Sequence, residues 1–268
     1  HVTCFRFVAP GIKQAGKGRK ADRRQKPLPI VSIAGGNLPR LKDKGAGMRT
    51  VIFDLDGTLA DTSGDLIAAG NAAIAAMGYA PQLERGRDDP TALRGGRAML
   101  SLSFERLGHG APEPEIDRGY PILLEAYGQA IDVHTVMYPG AVAAVEALLA
   151  DGIRVGVCTN KPEGLAETLL TRLGVRGLFG SLIGADTLPT RKPDPAPFVA
   201  SVERAGGDVA RSLLVGDTVT ERETARAAGV PSVLVTFGPL GAGVADLMPE
   251  ALLHRYQDMP ALARQLLD

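Results

Sequence analysis

The sequence predicts an α/β fold: a Rossmann-like parallel sheet with helices on both faces and an inserted α-helical cap. Three observations predict it. From residue 139 onward, short runs rich in Val, Ile and Leu alternate with helix-like segments, the pattern of a parallel sheet covered on both sides. A block with little strand character separates the first such run, Val51-Ile52-Phe53, from the rest. Several runs end in polar residues, and open α/β sheets place their ligands at the carboxyl ends of strands.

The first strand runs into Asp54-Leu55-Asp56-Gly57-Thr58-Leu59. On a strand, side chains at i and i+2 share a side, so Asp54 and Asp56 are expected to project together from the strand end. Two acids held that close repel, and a cation or a shared proton relieves them. Ser63 or Asp61 can cap the next helix, an Ala-rich segment from Asp65 to Met77 that stops at Gly78. Two further helices are expected at Thr91–Leu107 and Glu113–Ile131. From Pro139 the expected order is helix Val142–Ala150, strand Ile153–Cys158, helix Pro162–Leu173, strand Ser181–Gly184 and helix Pro195–Ala205. Strand Ser212–Val215, helix Val219–Ala228, strand Ser232–Val235 and a closing helix Pro260–Leu267 follow. Residues 48–61 and 139–268 therefore read as the catalytic core, and residues 62–138 as the cap.

Composition narrows the setting. The chain has 268 residues, 45% hydrophobic and 22% charged, which is ordinary for a globular protein, and no apolar run approaches a membrane span. Cys4 and Cys158 form neither a metal pattern nor a disulfide framework, so a cytoplasmic setting is expected. The net charge of zero hides a split: residues 1–47 hold 11 Lys and Arg against 2 Asp and Glu. This segment is rich in Gly and Pro without a sustained period, and is expected to be a disordered basic extension. Met48, one residue ahead of the strand-bearing region, makes upstream or inert sequence the favoured reading over nucleic-acid binding, membrane binding or targeting.

Other strand ends carry phosphate-ready groups. Val155–Cys158 leads into Thr159-Asn160-Lys161-Pro162, and Leu213-Leu214-Val215 into Gly216-Asp217-Thr218, with Arg191-Lys192-Pro193-Asp194-Pro195 between them. In a parallel sheet these ends lie on one edge and can meet Asp54 and Asp56. A nucleophilic acid, a proton-shuttling acid, a hydroxyl, an amide, a lysine and a metal carboxylate would suit phosphoryl transfer through an aspartyl-phosphate.

The four segments, in this order, resemble the four motifs of the haloacid dehalogenase superfamily, in its phosphoglycolate phosphatase-like branch. The resemblance covers residues 48–268. It implies Asp54 as nucleophile and Asp56 as acid and base, with Thr159, Asn160 and Lys192 completing the catalytic set. It also implies Mg²⁺ held by Asp54, the Asp56 backbone carbonyl and Asp217. The family usually has Asp where this chain has Glu221; the longer stem is expected to weaken or rearrange metal binding without loss of chemistry. Gly57 and Thr58 beside the acid pair, and Gly96 and Arg97 in the cap, are the expected substrate-binding residues, with Arg94 an alternative to Arg97 for a substrate carboxylate.

The implied activity is Mg²⁺-dependent hydrolysis of a small phosphorylated metabolite, with 2-phosphoglycolate the first choice, by a monomer or homodimer. Asp56 argues against the dehalogenase branch, and the absence of Lys from residues 62–138 against the phosphonate-cleaving branch. A sugar-phosphate phosphatase or a β-phosphoglucomutase-like phosphomutase is the alternative. In another class, a catalytically impaired binding protein with a nucleic-acid-binding basic tail would fit Glu221 and residues 1–47, although the intact acids and Lys192 oppose it. His109 and His134 have no metal-ligand spacing and are assigned structural roles, and Cys158 is expected to be a buried strand residue.

Overall fold

The structure, a computed structural model, describes residues 47–110 and 112–268; the basic extension expected for residues 1–47 lies outside the described residues except at Gly47. Six parallel strands form one sheet in the order β5-β4-β1-β6-β7-β8. They are β1 (Thr50–Phe53), β4 (Arg154–Cys158), β5 (Ser181–Ile183), β6 (Ser212–Gly216), β7 (Ser232–Val235) and β8 (Ala251–Leu253). β1 pairs with β4 on one side, Val51 opposite Val155, and with β6 on the other, Val51 opposite Leu213. After β1 the chain builds outward to β5, then returns to β6 and builds the other way. The point of reversal at β1 is where a doubly wound sheet opens a crevice for ligand.

Period-2 side chains divide the core between the two faces. Val51 and Phe53 of β1, Val155 and Val157 of β4 and Val215 of β6 pack with Val145 and Leu148 of helix α5 (Ala141–Ala150), Leu169 of α6 (Glu163–Arg172) and Ala263 of α9 (Met259–Leu267). Ile52, Cys158 and Leu214 face the opposite way, onto Phe198 and Val202 of α7 (Ala196–Arg204) and Ala225 of α8 (Val219–Ala228). Cys158 is fully buried, as expected from the sequence.

Between the two-residue strands β2 (Ala60–Asp61) and β3 (Val136–Met137), which pair antiparallel, lie helices α1 (Ser63–Ala76), α2 (Asp89–Ala92), α3 (Gly96–Arg106) and α4 (Glu113–Gln129). The start of α1 sits where the sequence places it, with Asp61 Oδ1 accepting from the Ser63 amide at 3.1 Å. The single helix expected over Thr91–Leu107 is instead two, broken at Gly95, whose φ of +103° lies outside the helical region. Strands β2, β3 and β8 were not expected; at two or three residues they are too short to show a period. Among the described residues no helix is long and apolar enough to cross a membrane.

Candidate active site

A cavity of about 800 Å³ opens at the carboxyl edge of the sheet, lined by Asp54, Asp56, Thr159, Asn160, Lys161, Lys192, Asp217 and Glu221 from the sheet side. Thr91, Arg94, Gly96, Tyr120 and Tyr127 of the helical insertion line it as well. Residues as far apart in the chain as Asp54 and Glu221 thus share one space, because all parallel strands end on the same edge.

Asp54 follows β1 directly. Its Oδ1 accepts from Lys192 Nζ at 2.8 Å, and the same ammonium donates to Glu221 Oε1 at 2.8 Å. Burial is the largest influence on Asp54 and pushes its pKa up to about 6; Lys192 pulls it down, while Glu221 and Asp56 add to the rise. Asp217, just past β6, is likewise held well above the usual carboxylate range by burial and by the charges of Glu221 and Asp54. Burial opposes the charge on Lys192, but Asp54 and Glu221 outweigh it and raise its pKa.

Asp56 does not sit on the strand as the period-2 argument expects. β1 ends at Phe53, and Asp56 lies in the following turn, bridged to Ala60. Both acids still line the same cavity, brought there by the turn. That turn needs glycine: Gly57 has φ +78°, and a Cβ there would lie 2.4 Å from Asp217 Oδ2. Tyr256 supports the turn from below, its hydroxyl donating to the Thr58 carbonyl at 2.7 Å. Neither Gly57 nor Thr58, expected from sequence to bind substrate, is among the residues lining the cavity. Thr58 is fully buried and donates its hydroxyl to Asp217 Oδ1 at 3.0 Å, which orients that acid.

Asn160 reaches across to the Lys192 carbonyl at 3.0 Å, joining the β4 end to the loop that carries the lysine. The Thr159 hydroxyl accepts from the Lys161 amide at 3.2 Å. Arg97 and Gly96 line the cavity, but the Arg97 guanidinium is exposed and paired with Glu113 and, at 2.7 Å, with Asp117, both on α4. Those partners oppose its expected capture of a substrate carboxylate. Arg94, also exposed and lining the cavity, makes no ion pair among the described residues.

Carboxylate oxygens of Asp54, Asp217 and Glu221 lie within 4.8 Å of one another. Three buried acids face a single ammonium, and Lys192 and Thr58 each occupy only one oxygen, of Asp54 and Asp217 respectively. Uncompensated negative charge on hard oxygen donors fits Mg²⁺. Glu221 fits less simply. Its Oε1 receives Lys192 and its Oε2 receives the Thr218 amide at 3.1 Å and hydroxyl at 2.6 Å, closing a capping box at the start of α8. Gly216 makes room for this fold-back, since a Cβ there would meet Glu221 Cγ at 1.9 Å.

Lys161 is the residue to which sequence reasoning assigned no role. It is buried, donating to Asp56 Oδ1 at 2.7 Å and to the Tyr127 hydroxyl at 2.9 Å. Nothing local signals this: Tyr127 lies 34 residues away on α4, and a lysine beside a strand end ordinarily reads as solvated.

A doubly wound sheet that gathers buried acids and a buried lysine at its switch point defines a class of α/β enzyme working through carboxylate chemistry. The chain belongs to the haloacid dehalogenase-like hydrolase family, whose model matches residues 48–229. It is 39% identical over 218 residues to a phosphoglycolate phosphatase of Agrobacterium fabrum, covering 80% of this chain and 92% of that one. A phosphoglycolate phosphatase of Caulobacter vibrioides is 35% identical over 220 residues, covering 81% and 92%. Among solved structures, a predicted phosphoglycolate phosphatase from Haemophilus somnus is 26% identical with TM-score 0.68, covering 80% of this chain and 97% of that chain. A hydrolase of the same superfamily from Geobacter sulfurreducens has TM-score 0.61 at 23% identity, covering 82% and 99%, and speaks to the fold alone.

Proposed function

We propose that the protein is a Mg²⁺-dependent phosphomonoesterase acting on a small phosphorylated metabolite, with 2-phosphoglycolate the first substrate, and that helices α1–α4 serve as its cap. The observation that carries this reading is the meeting of Asp54, Asp56, Lys192 and Asp217 in one cavity, in a chain 39% identical to a phosphoglycolate phosphatase. Asp54 would attack phosphorus and carry the phosphoryl group as an aspartyl-phosphate. Lys192, 2.8 Å from Asp54, would hold that carboxylate oriented and offset the charge of the phosphoryl oxygens. Asp56 would give its proton to the departing alcohol, then take one from the attacking water. Thr159 and Asn160 would donate to the phosphoryl oxygens. Asp54, the Asp56 carbonyl and Asp217 would hold Mg²⁺, with Glu221 nearby; the ion would neutralise charge on the phosphoryl group. Arg94, in place of Arg97, would meet the carboxylate of 2-phosphoglycolate.

The cavity volume of about 800 Å³ favours a second reading, a sugar-phosphate phosphatase, because a two-carbon acid fills little of it. One screen separates them: phosphate release from 2-phosphoglycolate, hexose phosphates and other small esters, with Mg²⁺ or EDTA. The first reading predicts Mg²⁺-dependent release with the highest kcat/KM on 2-phosphoglycolate. A hexose phosphate ahead of it would move the assignment to the second reading, and no release from any ester would overturn both.

A further inference from the structure

Asp56 is fastened on one side only. Its Oδ1 accepts from the Thr62 hydroxyl at 2.6 Å and from Lys161 Nζ at 2.7 Å, whereas Oδ2 accepts no hydrogen bond among the described residues. Of these two donors the lysine is the charged one, and charge-assisted bonds are about twice as strong as neutral ones. The ammonium is itself fixed: its side chain is 4% exposed, the Tyr127 hydroxyl takes a second proton at 2.9 Å, and the nitrogen lies 4.4 Å from the centre of the Tyr127 ring. Tyr127 is fully packed into the core, so the chain from α4 through Lys161 to Asp56 has little freedom at any link.

We propose that Lys161 is a positioning residue for Asp56: braced by Tyr127, it anchors one carboxylate oxygen and leaves the other for proton transfer. The proposal rests on the reading of Asp56 as acid and base. Two geometric facts separate it from direct substrate binding. Two of the three ammonium protons are committed inside the protein, and Lys161, although it lines the cavity, is buried, unlike the exposed Arg94. A general acid must be aligned with the oxygen it protonates, and a misplacement of about 1 Å can cost about 100-fold in rate. Loss of the brace is therefore a loss of turnover more than of affinity.

The test compares wild type, Lys161→Met, Asp56→Asn and the double variant, with kcat and KM measured on 2-phosphoglycolate and p-nitrophenyl phosphate at saturating Mg²⁺. Lys161→Met is expected to lower kcat by about 30- to 100-fold with KM within about threefold. In the Asp56→Asn background the same change should cost less than about threefold, because the lysine acts through the acid already removed. Tyr127→Phe should lower kcat by a smaller factor at unchanged KM, and it carries the test if Lys161→Met does not fold. A wild-type kcat in Lys161→Met, a loss falling mainly on KM, or a full additive loss in the double variant would overturn the proposal. If wild type releases phosphate from neither ester, the functional reading itself fails; if only Asp56→Asn is harmless, its acid role fails and this proposal with it.

Discussion

Asp54 and Asp56 are two residues apart, yet their surroundings differ. Asp54 shares one ammonium with Glu221, and burial lifts its pKa to about 6. Asp56 is tied through a single oxygen to Thr62 and Lys161. If Asp56 moves protons, Asp56→Asn should lower kcat by about 10²- to 10⁴-fold with KM little changed; steady-state kinetics showing an altered KM alone would assign it to binding instead. Gly57 makes a second single-residue prediction. Both its φ of +78° and the approach of Asp217 Oδ2 exclude a side chain, so Gly57→Ala should weaken Mg²⁺ activation by about tenfold or more while the sheet core is untouched. The acids were legible because they come soon after apolar strands and belong to motifs, and Lys192 because it belongs to a motif. The true partners of Thr58 and Arg97 were not, since hydrogen bonds to Asp217 and ion pairs to α4 depend on how distant elements pack.

At the scale of elements, helix α8 begins with a reciprocal cap in which Thr218 accepts from Thr220 N at 3.2 Å and Glu221 reaches back to Thr218. Thr218→Ala should cost about 1 kcal/mol, read as a lowered urea midpoint, and should also release Glu221 toward Lys192. Glu221→Asp shortens the same arm. The expectation from sequence is tighter Mg²⁺ activation with Asp, and a drop in affinity would refute it. In the insertion, Asp88 joins α2 to α3: Arg106 donates to both its oxygens at 2.8 and 2.6 Å, and the Glu84 amide adds a bond at 2.7 Å. The Arg106 hydrogen bonds lead in holding its carboxyl well below the usual range. A depressed carboxylate stabilises the fold above its unfolded pKa of about 3.9 and loses that contribution as pH falls through the folded value. Asp88→Asn should therefore flatten the fall in stability below about pH 4; a denaturation series that leaves the acid limb unchanged would contradict this. Long elements such as α5 and β6 were readable from periodicity and apolar runs. The break at Gly95 was readable too, since Gly95-Gly96 is a turn-marking pair, but the helical pattern on either side was read through it.

At the scale of the molecule, the site exists because four segments of a parallel sheet finish on one edge. That much followed from strand–helix alternation alone, since the order of polar strand ends needs no side-chain detail. The shape of the cavity did not, because its outer wall comes from α3 and α4, whose packing against the core leaves no local mark. Buried acids in excess of ammonium groups predict that Mg²⁺ stabilises the whole fold: a hundredfold excess over Kd is worth about 2.7 kcal/mol. A rise in Tm of several degrees with Mg²⁺, reversed by EDTA and absent in Asp217→Asn, is the expected outcome of thermal denaturation. We propose that this convergence makes Asp54 a phosphoryl carrier. Its most direct test is acid quenching of the enzyme during turnover of a ³²P-labelled phosphoester, followed by peptide mapping. Label is expected on the peptide containing Asp54 and none in Asp54→Asn; label on another residue, or label retained in Asp54→Asn, would rule out this role.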